Sequence, residues 1–380
     1  MGGGPGGLAA ARAFRDAGGE GPVTILAGEA HLPYQRPPLT KDFLLGESGE
    51  DELPIEPEDW YSEHDVRLRT RVTATALDPV ARRITLAGGE AVAYDTCVLA
   101  TGAEPRRVPV PGGDDPGVLT MRSIEDARAL QAHGRRVVVV GAGFVGCEAA
   151  ATLARRGATV TVVTAEIVPQ AERLGPEAGG RIAAWLADSG VELVAGTELR
   201  RIDREGQGWR AEAGDGVVLE ADTVLMATGI APRVRLAEGA GLRLDGGAVA
   251  TGPDMRTSDP SVFAVGDVAC AHNATAGRPL RVEHWGEALE HGAVAGAVLA
   301  GEDREWANAP GFWSTIAGRT LKHVAWGDGF TTVRLEAGED GGFTAWYADD
   351  GGTCVGVLCH QRDEDYERGR AMVEAGEPAP

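Results

Sequence analysis

The sequence contains very little lysine. Lys41 and Lys322 are the two lysines among 380 residues, and arginine supplies the remainder of the 36 basic side chains. This bias, together with abundant alanine and glycine, is typical of a high-GC coding sequence rather than of a particular function. The formal net charge is −21 and no run of basic residues is present. We therefore expect no binding of nucleic acid.

Long apolar runs and regularly spaced cysteines are also lacking. No run approaches the ~18–20 apolar residues of a membrane span, and no basic segment precedes an apolar stretch at the start. The five cysteines are irregularly spaced and do not suggest a disulfide framework. We expect a cytoplasmic protein without membrane contact, whose thiols are reduced and mostly buried. Its length predicts two to three domains of about 150 residues each.

What the sequence does contain is an internal repeat. Residues 95–106 and 222–233 both read D-T-x-x-x-A-T-G-x-x-P-R. A G-x-G-x-x-G loop lies upstream of each, followed by a predicted helix, an apolar stretch (residues 23–26 or 160–163) and then a glutamate, Glu29 or Glu166. Five features that recur in the same order predict two copies of one fold.

The second copy has the pattern of a dinucleotide-binding unit. A β-branched run at 136–140 predicts a buried parallel strand. Of the loop glycines, Gly141 permits the tight turn, Gly143 lets the backbone approach a pyrophosphate, and Gly146 lets the helix pack on the strand. A helix is predicted from about 144 to 156, and its N-terminus would hold the pyrophosphate. The alternative is a plain glycine-rich turn.

Four further segments resemble a known family. Residues 33–41 read P-Y-Q-R-P-P-L-T-K, 262–267 read V-F-A-V-G-D, 281–285 read R-V-E-H-W and 310–314 read P-G-F-W-S. Together with the glycine loops they resemble the flavoproteins with two dinucleotide-binding domains of the pyridine nucleotide-disulfide oxidoreductase superfamily. Within these, the segments are most similar to NAD(P)H-dependent ferredoxin and rubredoxin reductases of oxygenase systems. The resemblance extends from Gly2 to about Arg370.

The resemblance implies an α/β fold with two Rossmann-like domains, one inserted in the other. The FAD-binding domain would take residues 1–110 and 235–301, and the NAD(P)H-binding domain residues 111–234. A small C-terminal α/β reductase domain would take 302–372. Residues 373–380 would form a tail, of which we expect residues 374–380 to be disordered.

The first copy departs from this pattern at its start. A helix is predicted from Leu8 to Ala17, but the strand that should precede Gly2 is missing. Losing about five buried apolar residues at roughly 1.5–3 kcal/mol each rivals the ~5–15 kcal/mol net stability of a domain. We therefore expect that Met1 is a wrongly chosen start and that the natural chain begins upstream with an apolar strand. If the truncation is real, flavin retention should be weak.

The function implied by the resemblance is electron transfer. NADH, or possibly NADPH, would give a hydride to FAD, and single electrons would pass to a ferredoxin or rubredoxin partner. We expect no metal in the chain and a monomer or homodimer. The alternatives are a flavin NADH oxidase or quinone reductase, and an NADH-sensing flavoprotein similar to apoptosis-inducing factor.

Two residues match the catalytic positions of the family. Lys41 falls on the lysine of the P-P-L-S-K motif, which would lie beside flavin N5, and Glu148 falls on its glutamate partner. A cation there would stabilise the charge gained on flavin reduction. The alternatives are a solvated lysine and a surface glutamate.

Other residues match nucleotide-binding positions. Asp267 would accept a ribityl hydroxyl or cap a helix; Trp285 would start a helix facing the flavin or lie in the core; Val72 would bind adenine through its backbone. The FAD set is Gly2, Gly4, Gly7, Glu29, Arg36, Lys41, Val72, Ala100, Thr101, Gly102, Arg122, Gly266, Asp267, Glu283, His284 and Trp285. The NAD set is Gly141, Gly143, Val145, Gly146, Glu166, Thr228 and Gly229.

The choice between NADH and NADPH depends on residues 164–169. Glu29 and Glu166 are the candidates for the acid that binds a ribose in each copy. Relatives usually carry the acid of the second copy at the position of Thr164, whereas here it is displaced to Glu166. Because no arginine lies at 164–169 to receive a 2′-phosphate, we expect a preference for NADH.

Cysteine placement excludes the sister chemistries. There is no C-x-x-C, and no cysteine lies between residues 30 and 60, where disulfide reductases of this superfamily carry one. Disulfide reduction requires a thiolate. Cys354 and Cys359 flank an apolar strand and are interpreted as core residues.

Overall fold

The computed structural model describes residues 1–132, 134–327 and 329–380. Within these ranges the helices are α1 Pro5–Asp16, α2 Asp42–Leu45, α3 Glu58–Glu63, α4 Ile124–Gln131, α5 Phe144–Arg155, α6 Ala171–Asp188, α7 Arg235–Gly239, α8 Trp285–Leu299 and α9 Asp363–Ala375. The strands are β1 Val23–Leu26, β2 Val66–Arg69, β3 Ala74–Asp78, β4 Arg83–Leu86, β5 Ala91–Ala93, β6 Cys97–Leu99, β7 Ala103–Pro105, β8 Leu119–Thr120, β9 Arg136–Val140, β10 Thr159–Val163, β11 Glu192–Val194, β12 Leu199–Glu205, β13 Gly208–Ala213, β14 Val218–Ala221, β15 Thr223–Met226, β16 Ile230–Pro232, β17 Leu244–Asp245, β18 Ala248–Thr251, β19 Val262–Ala264, β20 Ala269–Asn273, β21 Arg278–Leu280, β22 Gly311–Ile316, β23 Arg319–Ala325, β24 Thr332–Ala337, β25 Phe343–Ala348 and β26 Cys354–His360.

The chain divides into two compact units. Unit 1 consists of residues 1–35, 53–104 and 232–312, and unit 2 of residues 36–52, 105–231 and 313–380. Segment 36–52, which carries Lys41, therefore belongs to unit 2. The predicted boundaries of three domains are not tested by this division and stay predictions.

Unit 2 contains the parallel sheet that the second copy of the repeat predicts. Its strand order is β11-β10-β9-β15-β8, and all of its pairs are parallel. Four consecutive valines, 137–140, are buried in the central strand β9, as expected for a strand covered on both faces. The predicted strand at 136–140 and the helix at 144–156 are confirmed, the helix ending one residue early. The predicted α/β class is thus confirmed.

Unit 1 holds the same fold with its sheet in two pieces. Strands β1 and β2 form one parallel pair, and β6 and β19 form another. Among the described residues, no strand lies between β1 and β6, where β9 would be expected from the second copy. This matches the missing strand that the sequence indicates; where the natural chain begins stays a prediction.

Met1 and Gly2 lie where that strand would end. The Gly2 N–H donates to the Leu26 carbonyl, and the Ala100 N–H donates to the Met1 carbonyl, both at 2.8 Å. The Met1 amino group donates to the Val98 carbonyl at 2.7 Å, and burial lowers the pKa of that amino group. These two residues thus connect the two halves of the sheet.

Helix α1 of unit 1 packs very closely on helix α8. A Cβ atom at Gly292 would lie 2.4 Å from the Gly6 carbonyl oxygen, and one at Gly296 would lie 2.3 Å from that of Ala10. The spacing G-x-x-x-G along α8 therefore lets the two backbones touch. Because α1 begins at the first glycine loop, this contact fixes the position of that loop.

Residues 313–380 of unit 2 build a second sheet, in the order β22-β23-β26-β25-β24. Its large apolar side chains, among them Trp346 and Phe343, are buried. The C-terminal residues are ordered: the Cys354 N–H donates to the Glu377 carbonyl at 2.8 Å, and the Ala379 N–H donates to the Gly352 carbonyl at 2.9 Å. The expectation of a disordered tail was wrong, because residues 376–380 complete the backbone hydrogen bonds of an adjacent turn.

No helix in the described part of the chain is long and apolar enough to cross a membrane.

Candidate functional site

The glycine loop of unit 2 is shaped by close backbone contacts. Gly141 has a φ of 102°, and a Cβ there would lie 2.4 Å from the Ala227 carbonyl oxygen. A Cβ at Gly146 would lie 2.1 Å from the Gly141 carbonyl oxygen. A Cβ at Gly143 would meet one backbone oxygen at 4.0 Å and otherwise open space. Gly143 begins α5 without a side-chain cap. The uncapped N–H groups beside open space suit a pyrophosphate.

The glycine loop of unit 1 repeats this geometry. Gly2 has a φ of 119°, and a Cβ there would lie 2.0 Å from the Ala100 carbonyl oxygen. A Cβ at Gly7 would lie 2.3 Å from the Gly2 carbonyl oxygen, while Gly4 has nothing within 4 Å and begins α1 without a side-chain cap. The residues present therefore fit a second dinucleotide.

Within each unit, the A-T-G segment contacts the arginine that ends the repeat motif of the other copy. The Thr101 hydroxyl donates to the Arg233 carbonyl at 3.2 Å, and the Thr228 hydroxyl donates to the Arg106 carbonyl at 2.8 Å. In return, the N–H groups of Arg233 and Arg106 donate to the carbonyls of Gly102 and Gly229, each at 2.9 Å. The structure thus gives Thr101 and Thr228 a role in turning the chain, and their contact with nucleotides stays a prediction.

The two ribose-acid candidates have different surroundings. The Tyr34 hydroxyl donates to the Glu29 carboxylate at 2.5 Å. The Glu166 carboxylate accepts from the N–H of Gln170 at 3.1 Å and from that of Glu172 at 3.0 Å. Glu166 thus satisfies the start of α6, and a carboxylate has lone pairs for further donors. Ribose binding by either acid stays a prediction.

The remaining flavin candidates of unit 1 lie at the ends of its elements. Gly266, with a φ of 71°, and Asp267 follow β19 after one further residue, Val265. Trp285 is the first residue of α8, preceded by His284, which stacks on Phe312 with ring centroids 4.3 Å apart. Val72 donates its N–H to the Ala27 carbonyl at 2.9 Å.

Further candidates have the following places. Ala100 follows β6 and presents its carbonyl oxygen to Gly2. Glu283 pairs with Arg281 at 3.1 Å. In unit 2, Val145 is half-exposed beside the glycine loop. The Arg36 guanidinium donates to the Arg122 carbonyl, so these two predicted flavin residues belong, with Lys41, to unit 2.

Lys41 and Glu148 form the predicted pair. The Lys41 ammonium donates to Glu148 Oε2 at 2.6 Å, and the side chains are 18% and 8% exposed. A shielded ion pair of this kind must be satisfied by further hydrogen bonds. The reading of these residues as a solvated lysine and a surface glutamate is therefore wrong.

Sequence reasoning missed the other donors to Glu148. The Thr40 hydroxyl donates to Oε2 at 2.5 Å, and the Ser314 hydroxyl donates to Oε1 at 2.7 Å. Both residues stand in segments that carry the family resemblance. Their distances in sequence from Glu148, 108 and 166 residues, left no local pattern to reveal the contact.

All five cysteines are free and buried. Burial raises the pKa of Cys147, Cys354 and Cys359, the last to about 12. A buried thiol with a raised pKa is a poor nucleophile. The described part of the chain therefore contains no reactive thiol pair, and its groups of His, Cys, Asp and Glu form no metal cluster.

Arg319 and Lys322, two basic residues of the C-terminal sheet, are both paired with acids. Arg319 donates to Asp188 at 3.0 Å and Lys322 to Asp363 at 2.7 Å. Asp188 lies 131 residues from Arg319 in sequence, and Asp363 lies 41 residues from Lys322.

Comparison with known proteins identifies the class. Residues 1–292 match the family of pyridine nucleotide-disulphide oxidoreductases. The chain belongs to this family, as the sequence motifs indicated.

Its relatives are more specific. The chain is 35% identical to the ferredoxin–NAD(+) reductase component of the anthranilate 1,2-dioxygenase system of Burkholderia cepacia, with 96% of this chain and 91% of that protein covered. It is 32% identical to the rubredoxin-NAD(+) reductase of Pseudomonas putida, over 85% and 84% of the two chains. These similarities confirm the predicted resemblance to ferredoxin and rubredoxin reductases.

Solved structures give the same result. The ferredoxin reductase for the CYP199A2 system from Rhodopseudomonas palustris is similar with a TM-score of 0.93 and 30% identity, covering 100% of this chain and 94% of that one. The reductase in the covalent putidaredoxin reductase–putidaredoxin complex is similar with a TM-score of 0.93 and 27% identity, covering 99% and 92%.

Proposed function

We propose that the chain is an FAD-dependent oxidoreductase that takes a hydride from NADH and delivers single electrons to a ferredoxin-type iron–sulfur protein. The observation that carries this proposal is the presence of two glycine loops with the same geometry, one in each unit. Two such loops suit two dinucleotides, FAD and NADH.

Each loop has a defined task in this proposal. Bound at the Gly2 loop, FAD would supply the chemistry that accepts a hydride and releases electrons one at a time. The N–H groups at the start of α1 and α5 would hold the two pyrophosphates. Lys41, held by Glu148, would place a positive charge where electron density increases on reduction.

Electrons must then leave without a protein thiol. All five cysteines are buried, and the pKa values of those in the vicinity of the second loop and the C-terminal sheet are raised by burial. Relatives named as ferredoxin or rubredoxin reductases support a one-electron protein acceptor. Trp313, which is 50% exposed next to the buried Ser314, is a suitable contact for it.

NADH is the preferred donor in this proposal. The Glu166 carboxylate lies after β10, where it would repel a 2′-phosphate, and no arginine lies at 164–169. Free cysteines support a reducing compartment, so we also propose a cytoplasmic location.

An anaerobic titration tests the proposal. Purified protein is reconstituted with FAD, and flavin absorbance is followed while NADH and then, separately, NADPH is added. We expect stoichiometric bleaching by NADH at lower concentration than by NADPH. Reduced protein is then mixed with an oxidised [2Fe–2S] ferredoxin, and rapid reduction of the cluster is expected. Failure to bind FAD would contradict the proposal, whereas fast reaction with oxygen and slow cluster reduction would favour an NADH oxidase.

A further inference from the structure

The Glu148 carboxylate is held by donors from two distant segments of unit 2. Oε2 accepts from the Lys41 ammonium at 2.6 Å and from the Thr40 hydroxyl at 2.5 Å. Oε1 accepts from the Ser314 hydroxyl at 2.7 Å and from the Thr315 N–H at 3.3 Å. Two donors on each oxygen match the acceptor capacity of a carboxylate, so its rotation is fixed.

Each hydroxyl is itself anchored. Thr40 ends a single 3-10 turn that starts with two prolines, and its carbonyl accepts from the Thr152 hydroxyl of α5 at 2.8 Å. Ser314 lies within β22 and is 2% exposed. Neither hydroxyl is therefore an adaptable surface group, and both approach Glu148 from rigid backbone.

The arrangement has an electrostatic consequence for Lys41. The Ser314 and Thr315 donors orient Oε1, which sets the direction in which Oε2 faces the ammonium. The Thr40 hydroxyl occupies a second position on Oε2 and restricts the ammonium to the other. A charge-assisted hydrogen bond of this geometry is stronger than a neutral one. The position of the Lys41 ammonium thus depends on the uncharged hydroxyls of Thr40 and Ser314.

We propose that Thr40 and Ser314 are positioning residues of the redox step, which fix the Lys41 ammonium through the Glu148 carboxylate. This inference rests on the proposed function, in which the Lys41 charge stabilises the reduced flavin. It assigns to strand β22, through Ser314, a part in electron transfer that is separate from its exposed face at Trp313.

The test uses matched substitutions. Thr40→Val keeps the volume of the side chain and removes the hydroxyl, and Thr40→Ser restores the hydroxyl. Ser314→Ala removes the second hydroxyl from a different segment. Thr344→Val is the control, since Thr344 is also buried in unit 2 and donates to a carboxylate, that of Asp365, at 2.5 Å. Circular dichroism verifies that each variant is folded.

The first readout observes Lys41 directly. Because the chain has two lysines, protein labelled with 15N-lysine gives at most two side-chain ammonium signals. We expect the shielded Lys41 signal to shift or broaden in Thr40→Val and Ser314→Ala. It should stay unchanged in Thr344→Val and return in Thr40→Ser. This readout does not require flavin or NADH.

The second readout is the redox step in the reconstituted protein. We expect the rate constant of flavin reduction by NADH to fall about tenfold in Thr40→Val and in Ser314→Ala, as loss of one hydrogen bond to a charged group implies. The flavin midpoint potential should become more negative in both. KM for NADH should not change.

The outcomes separate the two proposals. If the Lys41 signal, the reduction rate and the potential of Thr40→Val and Ser314→Ala match those of Thr344→Val, the positioning role is refuted. If the wild-type protein binds FAD but is not reduced by NADH, the proposed function fails, and the lysine spectrum alone decides whether the hydroxyls fix the ammonium. Should Thr40→Val not fold, Ser314→Ala carries the same comparison.

Discussion

A Cβ atom at Gly146 would lie 2.1 Å from the carbonyl oxygen of Gly141, and the equivalent contact between Gly7 and Gly2 measures 2.3 Å. Real Cβ atoms do not approach a backbone oxygen so closely. Any side chain at either third glycine therefore displaces the loop. Because the two loops belong to different units, each can be disrupted separately.

We expect Gly146→Ala to abolish tight NADH binding while FAD is retained, and Gly7→Ala to release FAD. Flavin absorbance after gel filtration and calorimetric titration with NAD+ measure the two effects. Gly180→Ala, within α6 and with open space around its Cβ, is the control and should change neither. Equal loss of FAD in both loop variants would contradict the assignment of one nucleotide to each loop.

The Lys41–Glu148 pair predicts that a variant without one charge is less stable than a variant without both. Lys41→Met leaves a shielded carboxylate without its counter-charge and should lower the free energy of unfolding by about 3 kcal/mol. The double variant Lys41→Met/Glu148→Gln removes both charges and should recover most of that loss. Flavin reduction by NADH should remain slow in both, because the cation is absent. Urea unfolding and stopped-flow absorbance give the two quantities, and a fast double variant would show that the charge is not needed.

Two buried histidines predict a dependence of stability on pH. Burial lowers the pKa of His291 and of His323 to about 3, from 6.5 in the unfolded chain. Below about pH 6.5 the unfolded state therefore binds protons at these two histidines that the folded state does not bind. Each histidine should cost about 1.4 kcal/mol of stability per pH unit as the pH falls from about 6 toward 3.

Two aspartates affect the free energy of unfolding at a lower pH than the histidines do, so the two effects can be measured separately. Bonds from arginine lower the pKa of Asp115 and Asp340 to about 2, so their contribution is lost only below about pH 4. We expect His291→Gln to lower the slope of unfolding free energy by about 1.4 kcal/mol per pH unit between pH 6 and pH 4.5. An unchanged slope would show that His291 is protonated in the folded state.

The exposure of Trp313 predicts that its substitution impairs reduction of ferredoxin alone. Aromatic side chains at this exposure often anchor a protein partner. Trp313→Ala should reduce the rate of ferredoxin reduction at least about tenfold, while reduction of ferricyanide by NADH should be unaffected. Val80→Ala, which alters an almost fully exposed apolar residue in unit 1, should change neither rate. Equal loss with both acceptors would place Trp313 in the flavin reaction instead of the docking surface.

Glu166 predicts the nucleotide preference. Glu166→Ala should raise KM for NADH about tenfold, as loss of hydrogen bonds to a charged group implies, with a smaller change for NADPH. Because the carboxylate also bonds the N–H groups at the start of α6, thermal unfolding must be measured alongside. Glu192→Ala, whose side chain bonds Thr161 in the same sheet, is a control for general destabilisation. Identical changes for both nucleotides would argue against a ribose contact.

Local patterns in the sequence were sufficient to predict the two glycine loops and the elements around the second one. The glycine spacing, the valine run of β9 and the helix that follows are all short-range, and the backbone contacts at Gly141 and Gly146 follow from them. The same patterns also located the gap before Gly2, since a strand has a recognisable length and composition.

Contacts between remote segments could not be read in this way. The Ser314 hydroxyl meets Glu148 only after β22 and α5 have packed, and Arg319 meets Asp188 only when the C-terminal sheet lies on α6. Residues 376–380 have the composition of a loose tail, but they bond the turn at 352–354. In each case burial and backbone pairing decided the outcome, and neither has a signature within ten residues.

The close contact of α1 with α8 has a consequence for how the chain is made. α1 is synthesised before its packing surface, α8, and more than 250 residues separate the two helices in the chain. The parallel sheet of unit 2 is complete when β15 emerges, well before α8. At a synthesis rate of about 5–20 residues per second, the first glycine loop waits for many seconds without its supporting helix. In the proposed function, capture of FAD at this loop is therefore a late event in biosynthesis, and the supply of FAD during translation should govern the yield of active protein.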